Sequence, residues 1–160
     1  MASRSSSQWI VLNGIRLIVQ DLREASRAAE ARFGLSGAQL FVLQTLAATA
    51  GMSVNELAAR TYTHQSSVSG VVKKLVRRRL VRARRSTKDA RRLELALTAA
   101  GEKVARRAPD AAQTKLIAAL NGLSVAERDR LASGIRRLVR GLGVEGRQAA
   151  MFLEDRSPPS

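Results

Sequence analysis

The sequence contains no cysteine, a single histidine and few aromatic side chains, which make up 3% of its 160 residues. Without cysteine the chain can form no disulfide, no thiolate zinc site and no thiol redox switch. One histidine leaves little imidazole for metal ligation or acid–base catalysis. The sequence also has no Gly-rich phosphate loop and no nucleophile paired with a supporting base. We therefore expect neither an enzyme nor a protein that carries a metal or another cofactor.

Long apolar runs are missing as well. The N-terminal run of residues 9–12 is broken by Asn13, Gly14 and Arg16, so it is too short to cross a bilayer, and no small-residue cleavage site follows it. A chain of 160 residues suits one hydrophobic core, alone or with an oligomerisation element. These features predict a cytoplasmic protein.

Acidic residues are scarce, and the basic residues are concentrated in one part of the chain. The 28 Lys and Arg outnumber the 13 Asp and Glu, which gives a formal net charge of +15. Residues 60–92 contain twelve of the basic residues and one acid, Asp89, and so carry +11 of that charge. A solvated helix face normally mixes both signs. The run therefore favours a nucleic-acid partner, and it lacks the long amphipathic face that membrane binding would require.

Apolar spacing and capping signals predict four helices, then a β-hairpin, then two helices. A stripe of helical period predicts the first helix over residues 8–33, with Gly34 as its left-handed end. Three capping boxes, each a serine followed three residues later by Gln or Glu, open the second, third and last helices. These pairs are Ser36 with Gln39, Ser53 with Glu56, and Ser124 with Glu127.

Glycines, and changes in the phase of the apolar stripe around the helix, indicate where these helices end. The second helix is expected to run to Gly51, the short third helix to end within residues 60–63, and the fourth to cover residues 64–78. A fifth helix is expected to run from Thr98 toward Leu120 with a kink at Pro109.

Between the fourth and fifth helices the period of the apolar residues changes to two. This alternation predicts two strands with one covered face, formed by Val81 and Ala83 on one strand and Leu93, Leu95 and Leu97 on the other. Residues 85–91 form the polar tip of the hairpin. The tail from Gly143 is expected to fray, although residues 151–153 could dock.

The hairpin sequence resembles the signature of a known family. Residues 89–101 read Asp-Ala-Arg-Arg-Leu-Glu-Leu-Ala-Leu-Thr-Ala-Ala-Gly, which is similar to the wing of the multiple antibiotic resistance regulator (MarR) family, Asp-x-Arg, alternating apolar residues, then Leu-Thr-x-x-Gly. The similarity extends over residues 8–142. It implies a mainly α protein with a small β-hairpin wing (α+β): a winged helix-turn-helix with N- and C-terminal dimerisation helices.

The resemblance also implies a division of the chain. Residues 1–35 and 99–142 would form the dimerisation helices, residues 36–98 the DNA-binding lobe, and residues 143–160 a flexible tail. Tyr62 stands where such helix-turn-helix turns often use glycine, a departure that implies either some strain or a looser turn.

By the same resemblance, Arg91 would enter the minor groove and Asp89 would orient it, although the pair could instead only stiffen a turn. On the fourth helix, Gln65 can pair with adenine and Lys73 with phosphate, while the serines could equally cap the helix. His64 would either cap the helix, face solvent or contact DNA. The predicted DNA-binding residues are Gln65, Ser66, Ser67, Ser69, Lys73, Lys74, Arg84, Arg85, Lys88, Asp89 and Arg91.

The resemblance further implies a small phenolic or anionic effector in the cleft between the dimerisation helices and the DNA-binding lobe. The candidate ligand-binding residues are Trp9, Arg16, Phe33 and Phe41, each of which could instead belong to the core or the dimer interface. The branch of the family that senses peroxides through cysteine is excluded.

Together these observations predict a sequence-specific, double-stranded DNA-binding transcription regulator. We expect a homodimeric repressor that binds a pseudo-palindromic operator. The interpretation includes release of the repressor from this DNA when a small-molecule effector binds. The alternative is a non-specific architectural or RNA-binding basic protein, for which the charge alone would suffice.

Overall fold

The computed structural model describes residues 6–86 and 91–154, and within these ranges it contains seven helices and one two-stranded sheet. This architecture confirms the predicted fold class. In chain order the elements are α1 (Ser7–Phe33), α2 (Gly37–Ala48), α3 (Val54–Arg60), α4 (Gln65–Arg77), β1 (Val81–Arg85), β2 (Leu93–Leu97), α5 (Ala99–Arg107), α6 (Ala112–Asn121) and α7 (Val125–Gly141).

The helices begin where local capping chemistry predicts. All three predicted capping boxes are present, at the starts of α2, α3 and α7. Helix α1 ends at Gly34, which has the predicted left-handed conformation with φ of 62°. Helix α2 is shorter than predicted: it ends at Ala48 because Thr49 is extended, and Gly51 lies beyond it in a turn with φ of 78°.

The core gathers around α2. This helix buries seven of its twelve residues, so it is covered on several sides rather than on one stripe. Leu43 of α2, Leu57 of α3 and Leu75 of α4 are all fully buried and belong to one hydrophobic cluster. The helix-turn-helix formed by α3 and α4 therefore packs against α2 in the main hydrophobic core.

The predicted single fifth helix is wrong, because the chain forms two helices separated at Pro109. Proline has no N–H to donate and disfavours a helical conformation in the residue before it, and Ala108 is accordingly extended with ψ of 143°. The side chain of Gln44 occupies the break: its Nε2 donates to the carbonyl of Pro109 at 2.9 Å, and its Oε1 accepts from the N–H of Ala111 at 2.9 Å. One amide thus satisfies backbone groups that the interrupted helix leaves open.

The hairpin pairs β1 with β2 in antiparallel register, with Val81 opposite Leu97 and Arg85 opposite Leu93. The prediction that all the apolar positions share a covered face is wrong. Val81 and Leu95 are buried, but Ala83 is exposed and Leu93 is 59% exposed, because the outer half of the hairpin extends beyond the core. Strand β2 is held to the segment before α3, where the N–H of Leu95 donates to the carbonyl of Met52 at 2.8 Å.

Gly101 marks a close approach between α5 and the entry to the wing. A Cβ at this position would lie 2.1 Å from the carbonyl oxygen of Leu80. Thr98 completes the junction, because its hydroxyl donates to the carbonyl of Arg79 at 2.7 Å and accepts from the N–H of Gly101 at 3.1 Å. The Leu-Thr-x-x-Gly sequence therefore fixes where β2 passes into α5.

Two helices carry large apolar side chains that the single chain leaves uncovered. Helix α7 buries none of its residues. The exposed apolar residues on α1 are Trp9, Ile10, Val11, Leu12, Ile15, Leu17, Ile18 and Val19, and those on α7 are Val125, Leu131, Ile135 and Leu138. Exposed apolar surface of this extent is typical of a protein interface.

Candidate nucleic-acid interface

Helix α4 has one face in the core and the opposite face free of core contacts. Its buried residues, Val68, Val71, Val72 and Leu75, lie within one sector of the helix. At 3.6 residues per turn, positions 66, 70, 73 and 77 form a stripe on the opposite side. We call this stripe the outer face of α4; it carries Ser66, Gly70, Lys73 and Arg77.

The predicted residues of α4 differ in exposure. Gln65, Ser66 and Lys73 are exposed, whereas the remaining three, Ser67, Ser69 and Lys74, are partly buried. His64 occupies the N-cap position but its side chain makes no capping hydrogen bond. Of the three roles open to His64, helix capping is therefore not the one adopted.

The turn between α3 and α4 closes through Tyr62. Its backbone is left-handed, with φ of 52°, and its side chain is 76% exposed. A non-glycine residue in this conformation costs roughly 1 kcal/mol, so the departure noted from the sequence carries strain. Thr61 is buried and donates its hydroxyl proton to the carbonyl of Leu57 at 2.8 Å, which holds the turn in position.

The wing presents arginines along its exposed half. Arg84 and Arg85 lie on β1 and are exposed, and Arg84 lies 3.7 Å from the carboxylate of Glu94 on the paired strand. Arg91 is exposed and precedes β2. Lys88 and Asp89 lie outside the described residues, so the Asp89–Arg91 pairing stays a prediction.

The residues that attach the wing to the helix-turn-helix were not predicted from the sequence. A guanidinium nitrogen of Arg92 lies 2.5 Å from Oε2 of Glu56 and 3.2 Å from the carbonyl of Gly51. Hydrogen bonds from the backbone and hydroxyl of Ser53, supported by Arg92, lower the pKa of the Glu56 carboxyl. Glu56 thus serves both the start of α3 and the start of β2. The capping box was visible in the sequence, but its third partner comes from 36 residues away.

Arg78, at the end of α4, contacts the end of α1. Its guanidinium donates to the carbonyl of Gly34 and, at 3.4 Å, to that of Phe33. These carbonyls belong to the last turn of α1 and its cap, which have no partners within the helix. Arg78 thus binds protein rather than standing open to a ligand.

A cavity of about 400 Å³ lies beside the turn that leads into α4. Of the four candidate ligand residues, Phe41 lines it, whereas Trp9 and Arg16 lie on α1 and Phe33 packs against the core beneath the guanidinium of Arg32. The lining is mostly apolar and includes Phe41, Tyr62, His64, Ile117, Arg128 and Phe152.

Within residues 6–86 and 91–154, no group of His, Cys, Asp and Glu side chains has the arrangement of a metal site. In the same ranges, none of the helices combines the length and apolarity needed to cross a membrane.

The part of the chain that contains this interface matches a family profile. The profile described as the MarR family matches residues 33–92, which extend from the end of α1 to the residue before β2. No curated protein sequence matches the chain.

Solved structures share the fold over most of the chain. The MepR–DNA complex of Staphylococcus aureus is 20% identical and covers 84% of this chain and 97% of its own, with a TM-score of 0.56. FabT of Streptococcus pneumoniae in complex with DNA is 17% identical and covers 86% and 98%, with a TM-score of 0.60. A probable transcriptional regulator from Pseudomonas aeruginosa is 27% identical and covers 76% and 93%, with a TM-score of 0.52. Residues 33–92 are thus similar to the MarR family, and the solved structures show that the chain has the winged-helix fold.

Proposed function

We propose that the chain is a homodimeric transcription regulator that binds duplex DNA sequence-specifically. One observation carries the proposal: the outer face of α4 is polar and basic, and the wing beside it in sequence exposes arginines over its outer half. An α-helix fits the major groove, and an arginine-bearing hairpin suits the phosphates or the minor groove. The solved complexes of MepR and FabT with DNA support this assignment.

The uncovered apolar side chains of α1 and α7 support a dimer. A second copy would remove these side chains from water and relate two α4 helices by a two-fold axis. Such symmetry matches a pseudo-palindromic operator with half-sites about one helical turn, roughly 34 Å, apart. We propose that the protein acts in the cytoplasm as a repressor, blocking the promoter that contains the operator.

The cavity beside α4 supports regulation by a small molecule. Its apolar lining suits an aromatic ring, and Arg128 offers a positive charge for a phenolate or carboxylate. Because Tyr62 and His64 form the entry to α4, a bound ligand would act directly on the position of that helix. Phe41 is the one candidate from the sequence that this proposal retains.

The decisive experiment is selection of bound duplexes from a random pool with the full-length protein. A sequence-specific regulator should enrich a two-fold symmetric site and bind it ~10³-fold or more tightly than random duplex at the same salt concentration. Enrichment of no motif, or preference for RNA, would contradict the proposal and favour the non-specific architectural or RNA-binding alternative. Binding should also weaken ~10³-fold or more between 50 and 200 mM salt, given about six phosphate contacts per dimer.

A further inference from the structure

The segment after α7, residues 143–154, turns back and packs on the body of the protein; we call it the C-terminal segment. Met151 is buried and belongs to the main hydrophobic cluster. The side-chain amide of Gln113 on α6 donates to the carbonyl of Phe152 at 2.7 Å. The segment is thus anchored by a buried side chain and by a hydrogen bond to its backbone.

On either side of this anchor, the C-terminal segment contacts the outer face of α4. The amide of Gln148 donates a hydrogen bond to the hydroxyl of Ser66. At the other end, Oε1 of Glu154 lies 3.4 Å from where a Cβ would project from Gly70. Ser66 and Gly70 are one helical turn apart on the outer face. At that distance a Cβ would be in ordinary van der Waals contact with Glu154, so the carboxylate lies directly against this position of α4.

Charge favours the same docking. Glu154 lines a cleft together with the basic residues Lys74, Arg77 and Arg78 at the C-terminal half of α4. An acidic side chain there is attracted by the charges that would otherwise attract phosphates. The neighbouring residue in the sequence, Asp155, is also acidic, although it lies outside the described residues.

We propose that the C-terminal segment is an autoinhibitory element that competes with DNA for the outer face of α4. A helix reads base edges only when its side chains enter the groove without an intervening layer. Gln148 and Glu154 lie over Ser66 and Gly70, so the docked segment overlaps the surface of α4 that the duplex would occupy. The inference rests on the proposed function, since it concerns the same DNA-binding surface.

The C-terminal segment also connects this surface with the cavity. Residues 149–152 form one of its walls, opposite Phe41 and Ile117. A ligand that fills the cavity packs against the docked segment and not against a released one. Such a ligand favours the docked state and weakens DNA binding by differential affinity for the two states.

The test compares full-length variants on the selected duplex at one salt concentration. The double substitution Gln148→Ala with Glu154→Gln removes both contacts with α4 and retains the Met151 anchor. Because docking lowers the fraction of molecules competent to bind, releasing it should tighten DNA binding about fivefold. The matched control is Glu145→Gln, which changes charge by the same amount in the same segment but removes only a 3.0 Å contact with Arg140.

A second measurement follows the segment itself. Hydrogen exchange of the amides of residues 148–154 should become faster when the duplex binds, and should already be fast in the double variant without DNA. The inference is overturned if the DNA affinity of the double variant stays within about twofold of the parent's, or differs from it no more than the control's does. It is also overturned if duplex binding leaves hydrogen exchange in the segment unchanged. Failure of parent and variants alike to prefer any duplex would overturn the proposed function, and the inference with it.

Discussion

The guanidinium of Arg92 and the carboxylate of Glu56 lie 2.5 Å apart and join the start of β2 to α3. The same guanidinium reaches the carbonyl of Gly51. Together with the hydrogen bond from Leu95 to Met52, this contact fixes β2 against the segment that opens α3. Arg92 therefore acts as a positioning residue for the arginines beyond it.

Substitution of Arg92 by Ala should weaken DNA binding about 5- to 20-fold, because the wing is no longer preorganised. Each side chain of the pair remains partly exposed to solvent, so the unfolding free energy should change by less than about 1 kcal/mol. Titration with the selected duplex and thermal unfolding provide the two measurements. Arg106→Ala is the matched control, as it removes one positive charge from an exposed pair with Glu102 on α5. Equal losses of DNA affinity in both variants would show that Arg92 contributes through its positive charge and not by positioning the wing.

Substitutions of Arg91 and of Gln65 should change DNA binding in different ways. Arg91→Ala should lower affinity for most sites and weaken any preference for narrow A·T-rich flanks, because the minor groove distinguishes bases poorly. Asp89→Ala should give a weaker version of the same loss. Gln65→Ala should relax discrimination at one base pair per half-site by ~1–3 kcal/mol. Binding measurements on single-substitution operator variants separate the two patterns, and parental affinity in a folded Arg91→Ala protein would refute the wing assignment.

The apolar stripe of α7 should hold the dimer together. Replacing Ile135 and Leu138 by Asp introduces charge into that stripe, so the protein should sediment as a monomer and lose operator binding. Ser133→Asp places the same carboxylate on the opposite side of α7 and should leave the dimer intact. A parent that sediments only as a monomer at micromolar concentration would refute the dimer directly.

Gly101→Ala should destabilise the protein, since the added Cβ would meet the carbonyl oxygen of Leu80 at 2.1 Å. Displacing α5 to relieve this overlap should cost about 1–3 kcal/mol. Gly134→Ala is the control, because a Cβ there meets no atom within 4 Å. Ala favours a helix over Gly, so this control should unfold at the same or higher denaturant concentration. Equal midpoints for the two variants would show that the junction adapts without cost.

Acidification should remove stability through the capping boxes of α3 and α7. Hydrogen bonds from Ser124 lower the pKa of Glu127, as those from Ser53 lower that of Glu56. A carboxylate whose pKa is lower in the folded state stabilises the fold above its unfolded pKa, near 4.5, and this contribution is lost as the pH falls through the folded value. Unfolding midpoints should change little through this effect from pH 7 to 5 and fall below that range. In Glu127→Gln the fall should be shallower; an unchanged slope would contradict the assignment.

Features that depend on adjacent residues were predictable from the sequence. Each capping box involves side chains three residues apart, so Ser36 with Gln39 could be identified without knowledge of the fold. The wing was predicted for a similar reason, since both strands and their connection lie within one short stretch.

The errors arise where distant parts of the chain decide the outcome. At Pro109 the chain breaks fully rather than kinking, and the backbone groups left open are satisfied by Gln44, which is far away in sequence. Nothing local distinguishes such a break from a kink. Leu93 is exposed because no helix covers the outer hairpin, and alternation alone cannot reveal how far a covering surface extends. The docking of Gln148 on Ser66 depends on a return of the chain over 82 residues.

The contact of Arg78 with the end of α1 makes that helix a lever. With 27 residues at a rise of about 1.5 Å each, α1 extends roughly 40 Å from its pivot at Gly34. A rotation of about 5° at this pivot displaces the far end by roughly 3.5 Å over that length. In a dimer joined through α1, such a displacement changes the separation of the two α4 helices. The contact between Arg78 and Gly34 would then influence which half-site spacing such a dimer accepts.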